Sequence, residues 1–548
     1  MMAANAEGLI EQLSTLRTRR SDAESRWRQN AYYCAPRDRR PGPNEDSSER
    51  PAVGVGIEVS RKLAAGLFAN TYSKGHPWFS LRASRQSLQN VPAVKGYLGK
   101  VTDQVLQKIQ NSNFAQKGYE MMSRFAAMGM GVLYCDMDNM GRIRFREYSP
   151  WDCYVAEDAD GLVDTVFREI EFTAVQAVSE FGEDALRSEI RRAAQSESDR
   201  QQSFRFVHAV YPRPDGRDDA LAPPEEMRFA SVYIDAEEQL IVQEGGYRTM
   251  PFMVPRFYRC AHGYGGGPAD DAEADMATMC RAVLDLMDST EMAMCPPVFV
   301  PDDGDIEGVE MKPGAVNAYN AATGQPIFPN LGRGIQEGAH LIDRQDASVR
   351  RMFMVDLFML LESVNQSQMT AREVIERVEE KTDAIAPVVD RLQTELYRMM
   401  IERVVSLLDT AGVLPDPPPE LAEEEYEILY TTRLDAKLQT VRVMAVLAAA
   451  EDIARVNAAA QEIPEIGAVL KLDKVAHGIA QAYGVDPEWL RSAREAAKYR
   501  QQYQAQQDAR REQEMAAGKV APVDLTKRAE AGSPAEMAAR ALTEGGSL

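Results

Sequence analysis

Apolar residues first recur at helical spacing. Leu9, Leu13 and Leu16 open a pattern that runs to about Tyr33, and a second spans about Val59 to Asn70. The hydrophilic stretch Pro36 to Pro51 between them, rich in Arg, Asp, Pro and Ser, reads as a loop. Helical spacing resumes over Val94 to Gln110 and Phe114 to Met128, and then the period drops to two. Val132 to Asp136 and Arg142 to Tyr148 flank Asp138-Asn139-Met140-Gly141, a hairpin signature in which Gly is free to take positive φ. Strand-like runs follow at Trp151 to Val155, Val163 to Phe172, Phe204 to Tyr211, Met227 to Ile234, Leu240 to Gln243 and Phe252 to Tyr258. Together they predict a small β-rich module.

The glycine run Gly263-Tyr264-Gly265-Gly266-Gly267-Pro268 then breaks the chain. Behind it, Met276, Met279, Cys280, Val283, Leu286, Met287 and Met294 mark one face of a helix over Ala269 to Met294, about 40 Å long at 1.5 Å per residue. Cys295-Pro296-Pro297 ends it, because Pro drives the residue before it out of the α region. A Gly, Pro and Asp-rich insert, Val298 to Gly338, is followed by a densely apolar pattern over Leu341 to Val364. A fourth long pattern covers Ala371 to Leu408, with Val388, Leu392, Leu396, Met399, Val404 and Leu408 on one stripe and Pro387 expected to kink it. The acidic, Pro-rich linker Pro415 to Glu425 leads to Ala-rich helices between about Asp435 and Tyr483. The polar tail after Arg500 is either a solvated helix or disordered, with disorder expected beyond about Gly518. The fold class predicted is α+β, predominantly helical.

Charge narrows the function. The 548 residues carry a formal charge of -22, which argues against a tight coat on nucleic acid, where Lys and Arg must displace counterions from phosphates. Six Cys form no C-x-x-C pair and five His do not cluster, so neither a disulfide framework nor a zinc site is expected. The first twenty residues hold no apolar signal core, and the most apolar window, Met352 to Leu361, is broken by Asp356, so no membrane insertion is expected.

Gly99-Lys100 and Gly518-Lys519 are each followed by Val, which removes the hydroxyl a P-loop needs for Mg²⁺. The Gly263 to Gly267 run precedes a helix N-terminus, where phosphate can bind, but Asp270, Asp271, Glu273 and Asp275 would repel it. A hinge is the better reading. Asp303-Gly304-Asp305-Ile306-Glu307-Gly308 resembles half of a calcium loop, but Gly314 stands where the bidentate Glu belongs. No H-E-x-x-H or G-x-S-x-G occurs. Neither a metal nor a cofactor is expected, nor is enzymatic activity.

The order of elements carries a resemblance. Its segments are Leu63 to Leu81 ending in Trp78-Phe79-Ser80-Leu81, Gly131-Val132-Leu133-Tyr134, Tyr264-Gly265-Gly266-Gly267-Pro268, Pro296-Pro297-Val298-Phe299-Val300-Pro301-Asp302-Asp303-Gly304, Lys312-Pro313-Gly314-Ala315 and Met369-Thr370-Ala371-Arg372-Glu373-Val374. In this order, over roughly residues 1 to 500, the chain resembles the bacteriophage portal proteins, in particular the head-to-tail connectors of T7-like short-tailed phages. It departs at Gly266, where such connectors often carry Arg, so an ion pair made by that Arg has no counterpart at this position.

The resemblance implies a ring, usually of twelve copies, at one capsid vertex, through which double-stranded DNA is packaged and ejected. Implied partners are the terminase large subunit, a tail adaptor protein, and the major capsid and scaffolding proteins; the implied location is the virion, with host cytoplasm during assembly. By the same mapping, residues 1 to 265 form a wing, 269 to 295 and 341 to 364 the stem helices, and 296 to 340 a clip. Asp302, Asp303, Lys312 and Arg333 are its candidate partner-binding residues. Residues 365 to 370 (Asn365, Gln366, Ser367, Gln368, Met369, Thr370) would form a tunnel loop facing DNA, 371 to 410 a long wing helix, and 411 to 500 a crown. Residues 501 to 548 are left as a barrel or a disordered tail. Thr370 and Glu373 also suit a helix capping box. Two other readings stand beside the portal ring: a non-portal helical scaffold or tail component, and a metal-dependent nuclease using Asp302, Asp303 and Asp305, which lacks the spacing of a complete hard-cation site.

Overall fold

The computed structural model describes residues 5–42, 45–46, 48–219, 222–301, 310–319, 331–355, 384–421 and 426–431, with short helical pieces between 452 and 509. Over the described residues helix accounts for 50% and strand for 21%. The α+β class holds, with more sheet than a predominantly helical chain implies. The chain divides into two compact units, Met1–Val441 and Arg442–Leu548, and nearly all of the described residues lie in the first.

Helix α1 (Ala6–Cys34) serves two cores with one stripe. Leu9, Leu13 and Leu16 pack on a sheet formed by Tyr154, Phe167, Val207 and Val232, while Ala23, Trp27, Ala31 and Cys34 enter the main core. Between the two, buried Arg20 donates to the carbonyls of Trp151 and Cys153 at 2.9 Å each, which seats its charge without exposing it. Helices α2 (Val55–Thr71), α3 (Pro92–Gln110, with Pro at its first position) and α4 (Phe114–Met128) complete the N-terminal bundle, separated by strand β1 (Phe79–Ala83). Gly129 closes α4 in the left-handed region, with φ 73°.

Strands β2 (Val132–Met137) and β3 (Ile143–Tyr148) form the predicted hairpin, and β4 (Cys153–Glu157) and β5 (Val163–Thr173) form a second. Both turns use one device. Asp138 Oδ1 accepts from the amides of Met140 and Arg142 at 3.0 and 2.9 Å, and Asp158 Oδ1 from those of Asp160 and Leu162 at 2.9 Å each. Gly141 and Gly161 supply the positive φ, 73° and 82°.

Two short helices, α5 (Ala174–Phe181) and α6 (Ser188–Gln195), then precede β6 (Ser203–Pro212), β7 (Phe229–Asp235) and β8 (Leu240–Tyr247). The five strands pair antiparallel in the order β4-β5-β6-β7-β8. α5 and α6 are absent from the sequence expectation; their small apolar set, Ala174, Ala177, Ile190 and Ala193, covers Phe204 and Phe206 on one sheet face.

Short strands β9 (Phe252–Met253), β10 (Tyr258–Arg259) and β11 (Gly265–Gly266) lead into α7 (Pro268–Met294). Strands β12 (Val298–Pro301) and β13 (Val316–Tyr319) pair in parallel, and α8 spans Leu331–Met352. α8 differs from the apolar pattern at both ends. It starts ten residues before Leu341, inside the segment assigned to the insert, and stops at a turn where Met354 has φ 53°. The rest of that pattern, to Val364, lies outside the described residues.

Residues 384 to 392 are helical through Pro387, and the departure from α geometry comes later, in a π-helical turn at Gln393–Arg398 ahead of α9 (Met399–Thr410). The wider turn brings three consecutive residues, Glu395, Leu396 and Tyr397, inward, and the buried stripe continues through Met400 while Met399 is only half-buried. Tyr426–Tyr430 forms β14 and pairs with β1, from Phe79↔Tyr430 to Ala83↔Tyr426. The chain therefore returns to the N-terminal bundle at a point where the sequence predicts a linker leading away.

Candidate functional site

The first third of α7 is embedded: Ala269, Ala272, Met276 and Met279 are buried in the main core. Beyond Met279 no residue of the helix is buried. α8 runs back along it, with Gly338 near Leu286 and with Val349 and Phe353 re-entering the core at its far end. The two helices thus form a hairpin that leaves the core and carries β12 and β13 at its tip.

Its outer surface exposes apolar side chains among charged ones such as Arg281, Asp285 and Glu291. Leu284, Met287 and Met294 are 50%, 62% and 78% exposed and lie on one face of α7. Val298, Val300, Met311 and Val316 extend exposed apolar surface across the tip. Single exposed apolar side chains are ordinary, but several on one projecting hairpin suit an interaction surface. Among the described residues the tip holds two strands, and two strands alone are marginal in water.

The hairpin is anchored at the glycine run, where backbones touch. A Cβ on Gly129 would lie 2.3 Å from the carbonyl carbon of Gly266, and one on Gly265 would lie 2.2 Å from the oxygen of Gly129. Gly129→Ala is therefore expected to cost roughly 3 kcal/mol from overpacking plus left-handed strain, read as a lowered denaturation midpoint. At Gly266 a Cβ would strike the Tyr258 ring at 2.4 Å and Cys260 Sγ at 2.7 Å, so no larger residue fits beside them. The Tyr258 hydroxyl instead donates to Gly267 O and Asp271 at 3.2 and 3.3 Å. Asp270 accepts from the Gly267 amide at 2.7 Å and from Asn30 at 2.9 Å, so a carboxylate already occupies the helix N-terminus, where it repels an anion.

Arg256, fully buried, lies behind this hinge. Its guanidinium donates to Glu395 at 2.6 Å, to Glu157, and to the carbonyls of Gly161 and Gly263 at 2.8 and 3.1 Å; its backbone amide also donates to Glu395, at 2.8 Å. Burial alone would depress the Arg256 pKa, but hydrogen bonding to Glu395 and Glu157 outweighs it and the pKa rises. One cation thus joins β4, the β4–β5 turn, the hinge and the π-helical turn. The signal for it in sequence is an Arg in the apolar stretch Phe252 to Tyr258 and a Glu within the Leu392 to Met399 stripe.

At the other end of α8, Arg350 bonds Glu58 of α2 at 3.2 and 3.3 Å and Asp346 at 2.7 Å. Bonds from Arg350 and Lys62 hold the Glu58 carboxyl down at about 2, below the usual 4.5. A depressed carboxylate stabilises above its unfolded pKa, so this contribution is full above about pH 5 and is lost as pH falls from 4.5 towards 2. Glu58→Gln should flatten that part of a stability–pH curve, modestly because the pair is exposed to solvent.

Of the residues singled out in sequence as sites, Lys312 and Arg333 fall within the described residues. Lys312 is exposed beside Glu310 at 3.5 Å near the tip; Arg333 lies in the first turn of α8 with its side chain outside the described residues; Asp302, Asp303 and Asn365 to Thr370 fall outside them entirely. His208 is a core residue: it stacks on Tyr233 with ring centroids 4.1 Å apart, bonds Ser231 at 3.0 Å, and burial drives its pKa down to about 3. Among the described residues no group of three His, Cys, Asp or Glu is arranged to hold a metal ion, and no helix is long and apolar enough to cross a membrane.

A family model described as bacteriophage head to tail connecting protein matches residues 6–490. The chain belongs to this family. A probable portal protein of Bordetella phage BPP-1 is 28% identical over 544 residues, covering 95% of this chain and 96% of its own. The portal protein of Salmonella phage epsilon15 is 25% identical over 511 residues, covering 89% of each. The resemblance read from the ordered motifs is borne out, and the function is that of a portal, the connector between phage head and tail.

Proposed function

We propose that the protein acts as a closed ring of twelve copies at one capsid vertex, giving double-stranded DNA a passage in during packaging and out during ejection. The observation that carries this is the set of exposed apolar side chains on α7 and the β12–β13 tip. A head-to-tail contact made by such a face generates a ring when its rotation closes. In this reading α7 and α8 are the stem, the tip is the clip that meets the terminase large subunit and then the tail adaptor, and residues 1–265 with 371–410 form the wing. Residues 411–500 supply the crown, although β14 remains attached to the wing, and 501–548 a barrel or a polar tail. Major capsid and scaffolding proteins surround the wing, so the protein is a virion component assembled in the host cytoplasm.

The work is binding and guidance without catalysis: a ring of chains each carrying -22 repels phosphate, so DNA slides without being held. Asp302, Asp303, Lys312 and Arg333 are proposed to contact the clip partners. Asn365, Gln366, Ser367, Gln368, Met369 and Thr370 are proposed to face the DNA. Electron microscopy of the purified full chain tests the ring; particles without a central hole would overturn it. Gln366→Lys with Gln368→Lys adds two cations per subunit at the proposed passage and is expected to slow DNA transit in a salt-dependent way while ring assembly stays normal. Unchanged transit would remove these residues from the channel.

A further inference from the structure

A cleft of about 320 Å³ opens between the β2–β3 hairpin and the end of the five-stranded sheet. Tyr134 and Arg146, paired across β2 and β3, stand on one wall. Ser231 and Tyr233 of β7, paired with Gly245 and Gln243 of β8, form the facing wall, and the hydroxyls of Tyr134 and Tyr247 meet between the two at 2.9 Å. Strand β8 makes this room with a glycine that packing does not require. A Cβ on Gly246 would lie 2.0 Å from the carbonyl oxygen of Pro224, so that position must be Gly. One on Gly245 would meet nothing within 4 Å, and Gly245 holds no positive φ. Glycine weakens a strand, and where neither packing nor φ asks for it, one use of the position is to admit a ligand.

The polar groups lining the cleft divide into those already engaged and those still open. Asp136 pairs with Arg403 at 3.2 Å and Asp138 with Arg144 at 3.3 Å. Arg146 and Glu180, the latter from the last turn of α5, form no ion pair among the described residues, either with each other or with a third group. Both are exposed. On the wall opposite Arg146, the Tyr233 hydroxyl and the Gln243 amide make no hydrogen bond among the described residues. Because Arg144, Arg146 and Arg403 balance Asp136, Asp138 and Glu180, an ion of one sign gains little here. A ligand that carries both signs meets one open cation and one open carboxylate.

We infer that this cleft binds a zwitterion of the amino-acid type with an aromatic body, its carboxylate on Arg146 and its ammonium at Glu180. A guanidinium takes a carboxylate through charge-assisted bonds, which are the strong ones. Tyr134, Tyr233 and Tyr247 give an aromatic body its wall, while the Tyr233 hydroxyl and the Gln243 amide remain to bond its polar end. The cleft is at the small end of ligand sites, which suits one residue-sized molecule better than a peptide segment.

The test titrates the full chain with L-phenylalanine by calorimetry, beside 3-phenylpropionate, which lacks the ammonium, and phenethylamine, which lacks the carboxylate. Phenylalanine is expected to bind about tenfold more tightly than either. Arg146→Gln should remove its advantage over phenethylamine, and Glu180→Gln its advantage over 3-phenylpropionate. Both side chains are exposed, so both variants should fold. Gly245→Val grows into empty space and suits a strand, so it should abolish binding while the melting midpoint holds or rises. No heat from phenylalanine at millimolar concentration, or binding unchanged by Gly245→Val, would overturn the inference. So would 3-phenylpropionate or phenethylamine binding as tightly as phenylalanine, which would make the cleft a site for a single charge.

Discussion

Met287→Glu together with Met294→Glu is expected to yield a folded subunit that no longer assembles. Both side chains already stand in solvent in the single chain, so neither substitution removes a contact of the fold. If a second copy covers the α7 face, each Met buries apolar surface worth about 1.5–3 kcal/mol per contact, and each Glu also buries an unpaired charge. In a closed ring every subunit makes the contact on both sides, so the loss repeats around the circle. Light scattering should report monomer where the parent protein forms rings, with an unchanged circular dichroism spectrum and melting midpoint. Met287→Leu with Met294→Leu keeps the apolar area and should keep the ring. Rings of normal size from the Glu variant would move the interface off this face. Because each copy carries a charge of -22, assembly of the parent should also strengthen as salt screens the repulsion between subunits.

Legibility followed the range of the interactions. α1 to α4, the β2–β3 hairpin and α7 were readable because their apolar period, caps and turn residues are local; Asp138 and Gly141 state their turn within four positions. α5 and α6 were not, since eight residues apiece with mainly Ala on the buried face carry little periodic signal. The alternation in Tyr426-Glu427-Ile428-Leu429-Tyr430 is a strand pattern, but its partner lies some 350 positions earlier, and no local rule names it. α8 breaks at Met352 although apolar residues continue, because composition there does not reveal a residue held at positive φ. The site divides in the same way. The long apolar stripe and the glycine hinge were visible in the sequence, whereas the exposure of Leu284, Met287 and Met294 emerges only once α8 is seen to cover a different side of α7.

Arg256 and Glu395 stand 139 positions apart, and their separate removal is expected to be among the most damaging single changes in the fold. Glu395→Ala leaves a fully buried guanidinium with Glu157 as its one remaining carboxylate and takes the acceptor from the Arg256 amide, at an expected cost of about 3–5 kcal/mol. Arg256→Met costs a similar amount by the opposite route, leaving buried Glu395 with the half-buried Arg391 at 3.1 Å as its remaining cation and stranding the carbonyls of Gly161 and Gly263. The two losses should not add. With both side chains replaced, Arg256→Met with Glu395→Leu, no buried charge is left uncompensated, because Glu157 keeps Arg259 at 2.8 Å. The double variant is therefore expected to recover about 2 kcal/mol or more relative to the sum of the single changes. Burial would raise the Glu157 pKa, but bonds from Arg259 and Arg256 outweigh it and lower it, so its contribution is full above about pH 5 and fades in acid. Denaturant titrations of the four proteins at neutral pH read the coupling directly. Additive losses would mean that Arg256 and Glu395 each act through other contacts, and the cation would then not be what joins the hinge to the π-helical turn.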